Sequence, residues 1–339
     1  MSGWWGLGDL MATFGLSVLA SAVLVGLVRW DAVRRGLLDV PNARSSHQLA
    51  TPRGGGLGLL LALAIAVTFG AFSASTAPGV PALLGSLAVL IVAAAGWMDD
   101  HGGAPVRLRI LVHLGAGLLL LPLVSPAPLP AILAPLAAGW WVFWTVSAIN
   151  VVNFMDGIDG IVGLQGFVFG VYCVLATADG ENAQLLGLAL AGSSAGFLLW
   201  NWSPARIFMG DVGSGALGVL FVLTGAMLAR EGRVDFIAAF APLSPIFLDA
   251  AVTLVRRARR GERLSVAHRS HLYQRLANGG VGHARVTLGY GVAAASCAAI
   301  ATLMPTGGLG LLALLVGACA SAAWAAEVWL RRSGEAVLS

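Results

Sequence analysis

The sequence contains eleven apolar stretches, each long enough to cross a lipid bilayer as a helix. A hydrocarbon core of about 30 Å requires roughly 20 apolar residues per helix. The 339 residues are 58% hydrophobic and only 11% charged, whereas soluble domains carry roughly 25% charged residues. The stretches cover about residues 11–30, 55–74, 81–98, 109–125, 131–150, 161–178, 184–201, 213–230, 236–255, 286–304 and 309–329. They are continuous and lack the period of two of membrane strands, so the sequence predicts an all-α integral membrane protein.

The arginines determine the predicted orientation in the membrane. All 20 basic residues are arginine, and membrane proteins concentrate basic residues in cytoplasmic loops. With a periplasmic N-terminus and a cytoplasmic C-terminus, 18 of the 20 lie on the cytoplasmic side, and only Arg230 and Arg233 lie outside. Nothing basic precedes Arg29, so the first stretch is interpreted as an uncleaved helix rather than a signal peptide. The net charge of +4 then reflects topology, and no nucleic-acid partner is predicted.

The polar residues collect on the predicted cytoplasmic side of a single membrane domain, residues 1–339. Five inner segments carry most of them, at about residues 31–54, 99–108, 150–160, 202–212 and 256–285. In a transporter, intramembrane carboxylates line a path near the middle of the bilayer. Their collection at one face favours an enzyme, and a polytopic transporter with an inner-face cation site is the alternative.

The segment "NVVNFMDGIDGI", residues 150–161, carries the most informative pattern. Its polar residues Asn150, Asn153, Asp156 and Asp159 recur every three residues. On a helix, the last three would share one face. Carboxylate and amide oxygens are the ligands that Mg²⁺ prefers, so the segment predicts a magnesium site. An Asx-rich turn that caps the next helix would explain only one or two of the four residues.

Two further groups of carboxylates are candidates for the same site. Asp99 and Asp100 end an apolar stretch, and the negative end of a helix dipole is a poor place for two carboxylates unless a cation is bound there. Asp211 lies between glycines in "FMGDVGSG", residues 208–215. It is interpreted either as a helix N-cap or as a third carboxylate of the metal site.

Several inner residues are predicted to bind the phosphates or the base of a substrate. In "PRGGG", residues 52–56, the glycines would let phosphate oxygens approach backbone amides, and a guanidinium would contact the phosphate. The histidine pair in "HRSHLYQRL", residues 268–276, is interpreted as a set of donors to phosphate or nucleotide, against a solvated loop. The candidates for substrate binding are Arg44, His47, Arg53, Gly54, Asn150, Arg206, His268, His271 and Arg275.

Four segments together resemble a known family. "PNARSSHQLATPRGGG", "GWMDD", "NVVNFMDGIDG" and "FMGDVGSG" are similar, in the same order, to the inner motifs of the polyprenyl-phosphate N-acetylhexosamine-1-phosphate transferases. These are bacterial membrane enzymes related to phospho-N-acetylmuramoyl-pentapeptide transferase, and the resemblance covers about residues 10–330. It implies the transfer of an N-acetylhexosamine 1-phosphate from a UDP-sugar to undecaprenyl phosphate, with release of UMP and use of Mg²⁺ or Mn²⁺. The enzyme would lie in the inner membrane, with its site facing the cytoplasm.

The resemblance also implies roles for individual residues. The catalytic residues would be Asp99, Asp100, Asp156 and Asp159, and the metal ligands would be Asn153, Asp211 and Asp156. His271 would belong to the histidine motif of the family, in which further histidines commonly stand at the places of Tyr273 and Gln274.

This departure in the histidine motif resembles the branch that initiates O-antigen, which uses 6-deoxy sugars such as N-acetylfucosamine or N-acetylquinovosamine. N-acetylglucosamine stays open as the sugar. Direct attack by the lipid phosphate is favoured, because a phosphate monoester is largely a dianion at neutral pH, and Asp99 or Asp100 would orient it or take a residual proton. An aspartyl-phosphate intermediate and a homodimer stay open as well.

Overall fold

The computed structural model describes residues 6–41, 49–73, 79–123, 131–177, 182–231, 233–263, 266 and 268–338. Its regular structure is almost entirely helical. The first eight helices are α1 (Leu7–Arg35), α2 (Gly55–Ser73), α3 (Val80–Gly102), α4 (Val106–Leu119), α5 (Ala134–Met155), α6 (Ile161–Ala176), α7 (Asn182–Asn201) and α8 (Asp211–Arg230). The remaining helices are α9 (Phe236–Ala239), α10 (Ser244–Arg259), α11 (Leu272–Leu276), α12 (His283–Leu303) and α13 (Gly308–Leu338), with a π-helical turn at Ala277–Val281.

The all-α membrane class is confirmed. Among the described residues, nine helices are long and apolar enough to cross a membrane, namely α1 to α5, α7, α8, α12 and α13. Helix α6 has 16 residues and is shorter than the roughly 20 that a perpendicular span requires. The predicted stretch 236–255 is not one helix, because α9 ends at Ala239 and α10 starts only at Ser244. The predicted total of eleven spans and the predicted orientation therefore stay predictions.

Prolines explain why the ninth apolar stretch is divided. Pro242 lies in the 3₁₀ turn Ala241–Leu243, and Pro245 lies in the first turn of α10. A proline has no N–H to donate to the preceding turn, so it breaks a helix interior but is tolerated in a first turn. Hydropathy alone does not reveal this break, because the whole segment is apolar.

Helix α8 is the centre of the molecule. It packs against α2, α3, α5, α6 and α7, and nearly all its residues are buried. Glycines allow this close packing: a Cβ at Gly56 would overlap the backbone of Gly213. A Cβ at Gly96 would overlap the carbonyl of Asp211. The glycines thereby bring the start of α2 and the C-terminal part of α3 against the start of α8, as small residues do between membrane helices.

A two-stranded hairpin and one helix complete the framework of the site. Strand β1 (Leu38–Asp39) pairs antiparallel with β2 (Thr51–Pro52). The carbonyl of Pro52 accepts a 2.8 Å hydrogen bond from the amide of Phe208, so the hairpin is tied to the segment before α8. Helix α1 packs on α2 and α7 at the edge of the bundle.

Candidate active site

The ends of three helices bring three predicted residues together. The carboxyl groups of Asp99, near the end of α3, and Asp211, the first residue of α8, lie close enough for a side-chain hydrogen bond. Asn153, in the last turn of α5, makes a side-chain contact with Asp211. Its Nδ2 donates to Ser214 Oγ at 3.2 Å. Two carboxylates and an amide therefore meet where α3, α5 and α8 converge, and we call these three residues with Asp156 the acid cluster.

Asp100 caps helix α8 from another helix. Its Oδ1 accepts the amide hydrogen of Asp211 at 3.1 Å, and its Oδ2 accepts that of Val212 at 3.1 Å. The side chain is buried, and a Cβ at Gly210 would lie 2.6 Å from Oδ2. A carboxylate at a helix N-terminus satisfies unpaired amides and stabilises the positive end of the dipole. Asp100 was predicted to be catalytic, but this geometry favours a role in positioning Asp211.

Asp99 is held in place by two donors. Its Oδ1 accepts the amide of Ala104 at 2.6 Å, and its Oδ2 forms an ion pair with Arg109 Nη1 at 2.6 Å. Arg109 lies on α4, so this pair joins α4 to the end of α3. Its cation also balances part of the negative charge next to Asp211.

Asp156 differs from the other acids because its carboxylate has no hydrogen-bond or ion-pair partner within the described ranges. It follows the last residue of α5, with φ −80° and ψ 46°. Burial, and then the negative charges of Asp211, Asp100 and Asp159, raise the pKa of Asp156 well above its ordinary value. A partly buried carboxylate that the fold leaves unpaired is a candidate for contact with substrate.

Asp159 is turned away from the acid cluster. Its Oδ1 lies 3.2 Å from His283 Nδ1, and its Oδ2 accepts the amide of Ala205 at 3.2 Å. Burial favours the neutral form, but the contacts with His283 and Ala205 outweigh it and lower the pKa of Asp159. The prediction of one shared helical face was wrong, because α5 ends at Met155 and a turn separates Asp159 from Asn153.

The glycines of "PRGGG" serve the fold rather than an anion. The amides of Gly55 and Gly56 donate to the carbonyls of Phe208 and Met209, both at 2.9 Å. They are therefore not free for phosphate oxygens, contrary to the prediction. Gly54 has φ +96°, a conformation that favours glycine. The Arg53 guanidinium donates to the carbonyl of Asp100 at the end of α3.

Asp249 holds the histidine segment, residues 268–276, against the bundle through hydrogen bonds. Asp249 was not singled out as a site residue, because it lies within an apolar stretch. Its carboxylate accepts the amides of Leu272 at 2.8 Å and Tyr273 at 3.1 Å, and the hydroxyl of Tyr290 at 2.7 Å. Asp249 therefore caps α11 from α10, as Asp100 caps α8 from α3. The Oδ1 atom also lies 3.6 Å from His271 Nδ1.

These hydrogen bonds of Asp249 place His268 and His271 beside the turn between α5 and α6, which carries Asp156. The Tyr273 hydroxyl donates to the carbonyl of Phe154 at 2.8 Å, and a Cβ at Gly157 would overlap that hydroxyl. The His271 ring lies against that of His268, with centroids 4.9 Å apart and an angle of 30° between the ring planes. Burial, and then the charges of His271 and Arg257, lower the pKa of His268 to about 4. His268 is therefore neutral at pH 7 and acts as a hydrogen-bonding group.

Three predicted substrate ligands lie away from the acid cluster. Asn150 Nδ2 donates to Val146 O at 2.7 Å and lies 3.3 Å from His113 Nδ1, on the side of α4. Arg275 pairs with Glu327 on α13, with Nη2 and Oε2 2.8 Å apart. Arg206 lies against Trp200 at the edge of the bundle. Two further predicted ligands, Arg44 and His47, lie outside the described residues.

The donor set of the acid cluster suits a hard divalent cation. Among the described residues, no group of three or more His, Cys, Asp or Glu side chains has the arrangement of a metal site. Asp99 and Asp211 do provide two adjacent carboxylates, and the side-chain amide of Asn153 contacts Asp211. Mg²⁺ is commonly held by one or two carboxylates together with substrate phosphates, so the residues present fit Mg²⁺.

Comparison with known proteins gives the family. Residues 82–229 match the model of glycosyl transferase family 4. The decaprenyl-phosphate N-acetylglucosaminephosphotransferase of Mycobacterium leprae is 30% identical over 82% of this chain and 79% of its own length. The phospho-N-acetylmuramoyl-pentapeptide-transferase of a Synechococcus species is 30% identical over 60% of this chain and 65% of its own. A Bacillus subtilis protein, named probable undecaprenyl-phosphate N-acetylglucosaminyl 1-phosphate transferase, is 27% identical over 81% and 79%. The chain therefore belongs to glycosyl transferase family 4, among the membrane-embedded polyprenyl-phosphate N-acetylhexosamine-1-phosphate transferases.

Proposed function

We propose that this protein transfers an N-acetylhexosamine 1-phosphate from a UDP-sugar to undecaprenyl phosphate and releases UMP. The observation that carries the proposal is the meeting of Asp99, Asn153, Asp156 and Asp211 at the ends of three membrane helices. Relatives named for transfer to undecaprenyl and decaprenyl phosphate support it. The product initiates a surface polysaccharide on its lipid carrier, on the cytoplasmic side of a bacterial inner membrane.

The location of the acid cluster suits a reaction between a water-soluble donor and a lipid acceptor. A charged nucleotide sugar stays in the aqueous phase, and the phosphate of the lipid stays at the membrane surface. Both reach a site at the end of a transmembrane bundle, and neither reaches its middle. Asp99, Asp211 and Asn153 would hold Mg²⁺ there, and the bound ion would neutralise charge on the diphosphate.

A carboxylate of the chain itself then assists the attack on the donor. An oxygen of the lipid phosphate attacks the sugar-bearing phosphorus of the donor, and the bond to the bridging oxygen breaks, so that UMP leaves. The attacking phosphate is largely a dianion at neutral pH and needs little general-base help. Asp156, which has no partner within the described ranges and an elevated pKa, orients this phosphate and accepts any residual proton.

The sugar is proposed from the histidine segment. This chain has Tyr273 and Gln274 in "HRSHLYQRL", the spelling that resembles the O-antigen branch. The donor is accordingly proposed to be a UDP-activated 6-deoxy sugar, N-acetylfucosamine or N-acetylquinovosamine, with UDP-N-acetylglucosamine as the alternative. The relatives named for N-acetylglucosamine support the alternative.

Release of UMP by the purified full-length protein tests the proposal. UDP-N-acetylglucosamine and the two 6-deoxy donors are each supplied with and without undecaprenyl phosphate, and with Mg²⁺ or EDTA. We expect UMP from at least one donor only when both lipid and Mg²⁺ are present. No UMP from any donor would leave the transporter interpretation standing. A phosphosugar trapped covalently on the protein in the absence of lipid would contradict direct attack.

A further inference from the structure

An open groove runs between α1 and α7 at the edge of the bundle, with a volume of about 640 Å³. The ring of Trp200 forms part of its lining and is fixed there, because its Nε1 donates to the carbonyl of Ala22 at 2.8 Å. A Cβ at Gly26 would lie 2.9 Å from this ring, so glycine at that position makes room for it. We call this feature the α1–α7 groove.

Two guanidinium groups lie at the same ring. The Cζ atoms of Arg29 and Arg206 lie 5.8 Å and 6.0 Å from the centroid of Trp200. Arg29 Nε also donates to the carbonyl of Arg206 at 3.1 Å. Within the described parts of the chain, neither guanidinium forms an ion pair with a carboxylate, whereas Arg109, Arg256, Arg257 and Arg275 all do. In the described part of the chain, two cations without a counter-ion therefore lie at the ring of Trp200.

The rest of the lining is apolar and faces outwards. Val23, Leu27, Trp30 and Leu199 are each more than half exposed. In a chain that crosses the membrane, such side chains contact lipid tails, and tryptophan concentrates at the interface with the head groups. The groove thus combines an apolar wall with a cationic end, which matches a lipid that carries a negatively charged phosphate.

The position of the groove distinguishes the acceptor from other lipids. Helix α1 packs on α2 and α7, whereas the acid cluster lies where α3, α5 and α8 meet. The phosphate of the acceptor has to reach Asp211 to react. The α1–α7 groove is lined by residues of other elements, so we assign a phosphate held by Arg29 and Arg206 to a lipid that is not consumed.

We propose that the α1–α7 groove binds an anionic phospholipid of the surrounding bilayer, with its phosphate between Arg29 and Arg206 and an acyl chain along the apolar wall. Such a lipid would join α1, which carries Arg29, to the segment before α8, which carries Arg206. Arg206, predicted to bind substrate, is thereby assigned to a lipid. The distinction between this lipid and the acceptor rests on the proposed function, whereas the binding of an anionic lipid to the groove does not.

Native mass spectrometry of the detergent-solubilised full-length protein tests this. Palmitoyl-oleoyl phosphatidylglycerol is titrated against phosphatidylcholine with the same acyl chains. Each arginine near a membrane surface contributes about 1 kcal/mol to binding of anionic lipid. We therefore expect Arg29→Gln and Arg206→Gln to weaken phosphatidylglycerol binding about 5-fold each, and the double variant about 30-fold. The control double variant Arg35→Gln/Arg107→Gln removes the same charge from two exposed side chains elsewhere and should retain the lipid.

Three results would overturn the assignment. In the first, the double variant of Arg29 and Arg206 retains phosphatidylglycerol as tightly as the unchanged protein. In the second, equimolar undecaprenyl phosphate displaces phosphatidylglycerol one for one, which would make the groove an acceptor site. In the third, the unchanged protein is a dimer that carries no phospholipid, which would make the groove an interface between copies. A preference for phosphatidylglycerol that weakens with added salt supports the assignment.

Discussion

Two neighbouring carboxylates should respond in opposite ways to the same substitution. Asp100 accepts two backbone amides at 3.1 Å, and hydrogen bonds to a charged group contribute about 1.5–3 kcal/mol each. Asparagine keeps only one acceptor oxygen, so Asp100→Asn should lower the free energy of unfolding by about 2 kcal/mol. Asp156 has no partner within the described ranges and lies near three acids. Asp156→Asn should therefore relieve repulsion and stabilise the protein by on the order of 1 kcal/mol.

The difference of about 3 kcal/mol should separate the thermal midpoints of the two variants by about 4 °C in a chain of 339 residues. The midpoints are measured in detergent with EDTA, so that no divalent cation neutralises the acids. Release of UMP is measured in parallel with Mg²⁺ present. We expect Asp156→Asn to be more stable than the unchanged protein and at least about 100-fold less active. An Asp156→Asn variant that is destabilised or fully active would refute the reasoning.

Three further predictions concern the histidine segment and the turn between α5 and α6 against which it packs. Asp249→Asn should lower the free energy of unfolding by about 3 kcal/mol and accelerate hydrogen exchange of the amides of Leu272 and Tyr273. Unchanged exchange of these amides would contradict the role of Asp249 in holding the segment. Gly157→Ala should displace the Tyr273 hydroxyl and lower turnover at least about 10-fold, whereas Gly139→Ala, where a Cβ meets nothing within 4 Å, should keep full activity. The pKa of His268 is lowered from 6.5 to about 4 in the folded protein, so the unfolded chain binds this proton more readily between these values. The stability that neutral His268 contributes is complete above pH 6.5 and is lost as the pH falls towards 4. The midpoint of the unchanged protein should therefore fall relative to His268→Gln between pH 7 and pH 5, and parallel curves would contradict the shift.

The sequence predicted the membrane class and the collection of the acids at one end of the helices because both depend on local patterns. Runs of about 20 apolar residues define helices, and the arginine distribution places their ends on two sides. Once α3, α5 and α8 are drawn with these ends on one side, Asp99, Asn153 and Asp211 lie at the same end of the helices. That the three side chains meet there depends on the packing of α3 and α5 against α8, which only the structure gives.

Residues whose partners are distant in the chain were assigned less well. Asp100 and Asp249 each cap a helix that starts more than 20 residues away, and no local pattern shows that a carboxylate belongs to another helix. The amides of Gly55 and Gly56 were assigned to phosphate because the segment that takes them, Phe208 and Met209, is about 150 residues away. In each case a long-range backbone contact took a group that looked free in the sequence.

The shared face predicted for Asn153, Asp156 and Asp159 was wrong for a different reason. The three-residue spacing fits a helix, but α5 ends at Met155 and Gly160 adopts φ +78° before α6 begins. Helix ends are difficult to locate in a uniformly apolar sequence. An amphipathic helix ends where its 3.6-residue hydrophobic period stops, and a bilayer-spanning stretch shows no such period. The turn separates the roles of Asp156, which stays near Asp211, and Asp159, which holds His283 and Ala205.

The central claim is that the acid cluster carries out the transfer. The most direct test is formation of lipid-linked sugar from a donor labelled in the sugar-bearing phosphate, extracted into organic solvent, by the unchanged protein and by Asp211→Asn, which keeps the backbone amide that Asp100 caps. We predict labelled lipid from the unchanged protein only with Mg²⁺, and at least about 100-fold less from Asp211→Asn at equal amounts of folded protein. Transfer by Asp211→Asn at the rate of the unchanged protein would contradict the account.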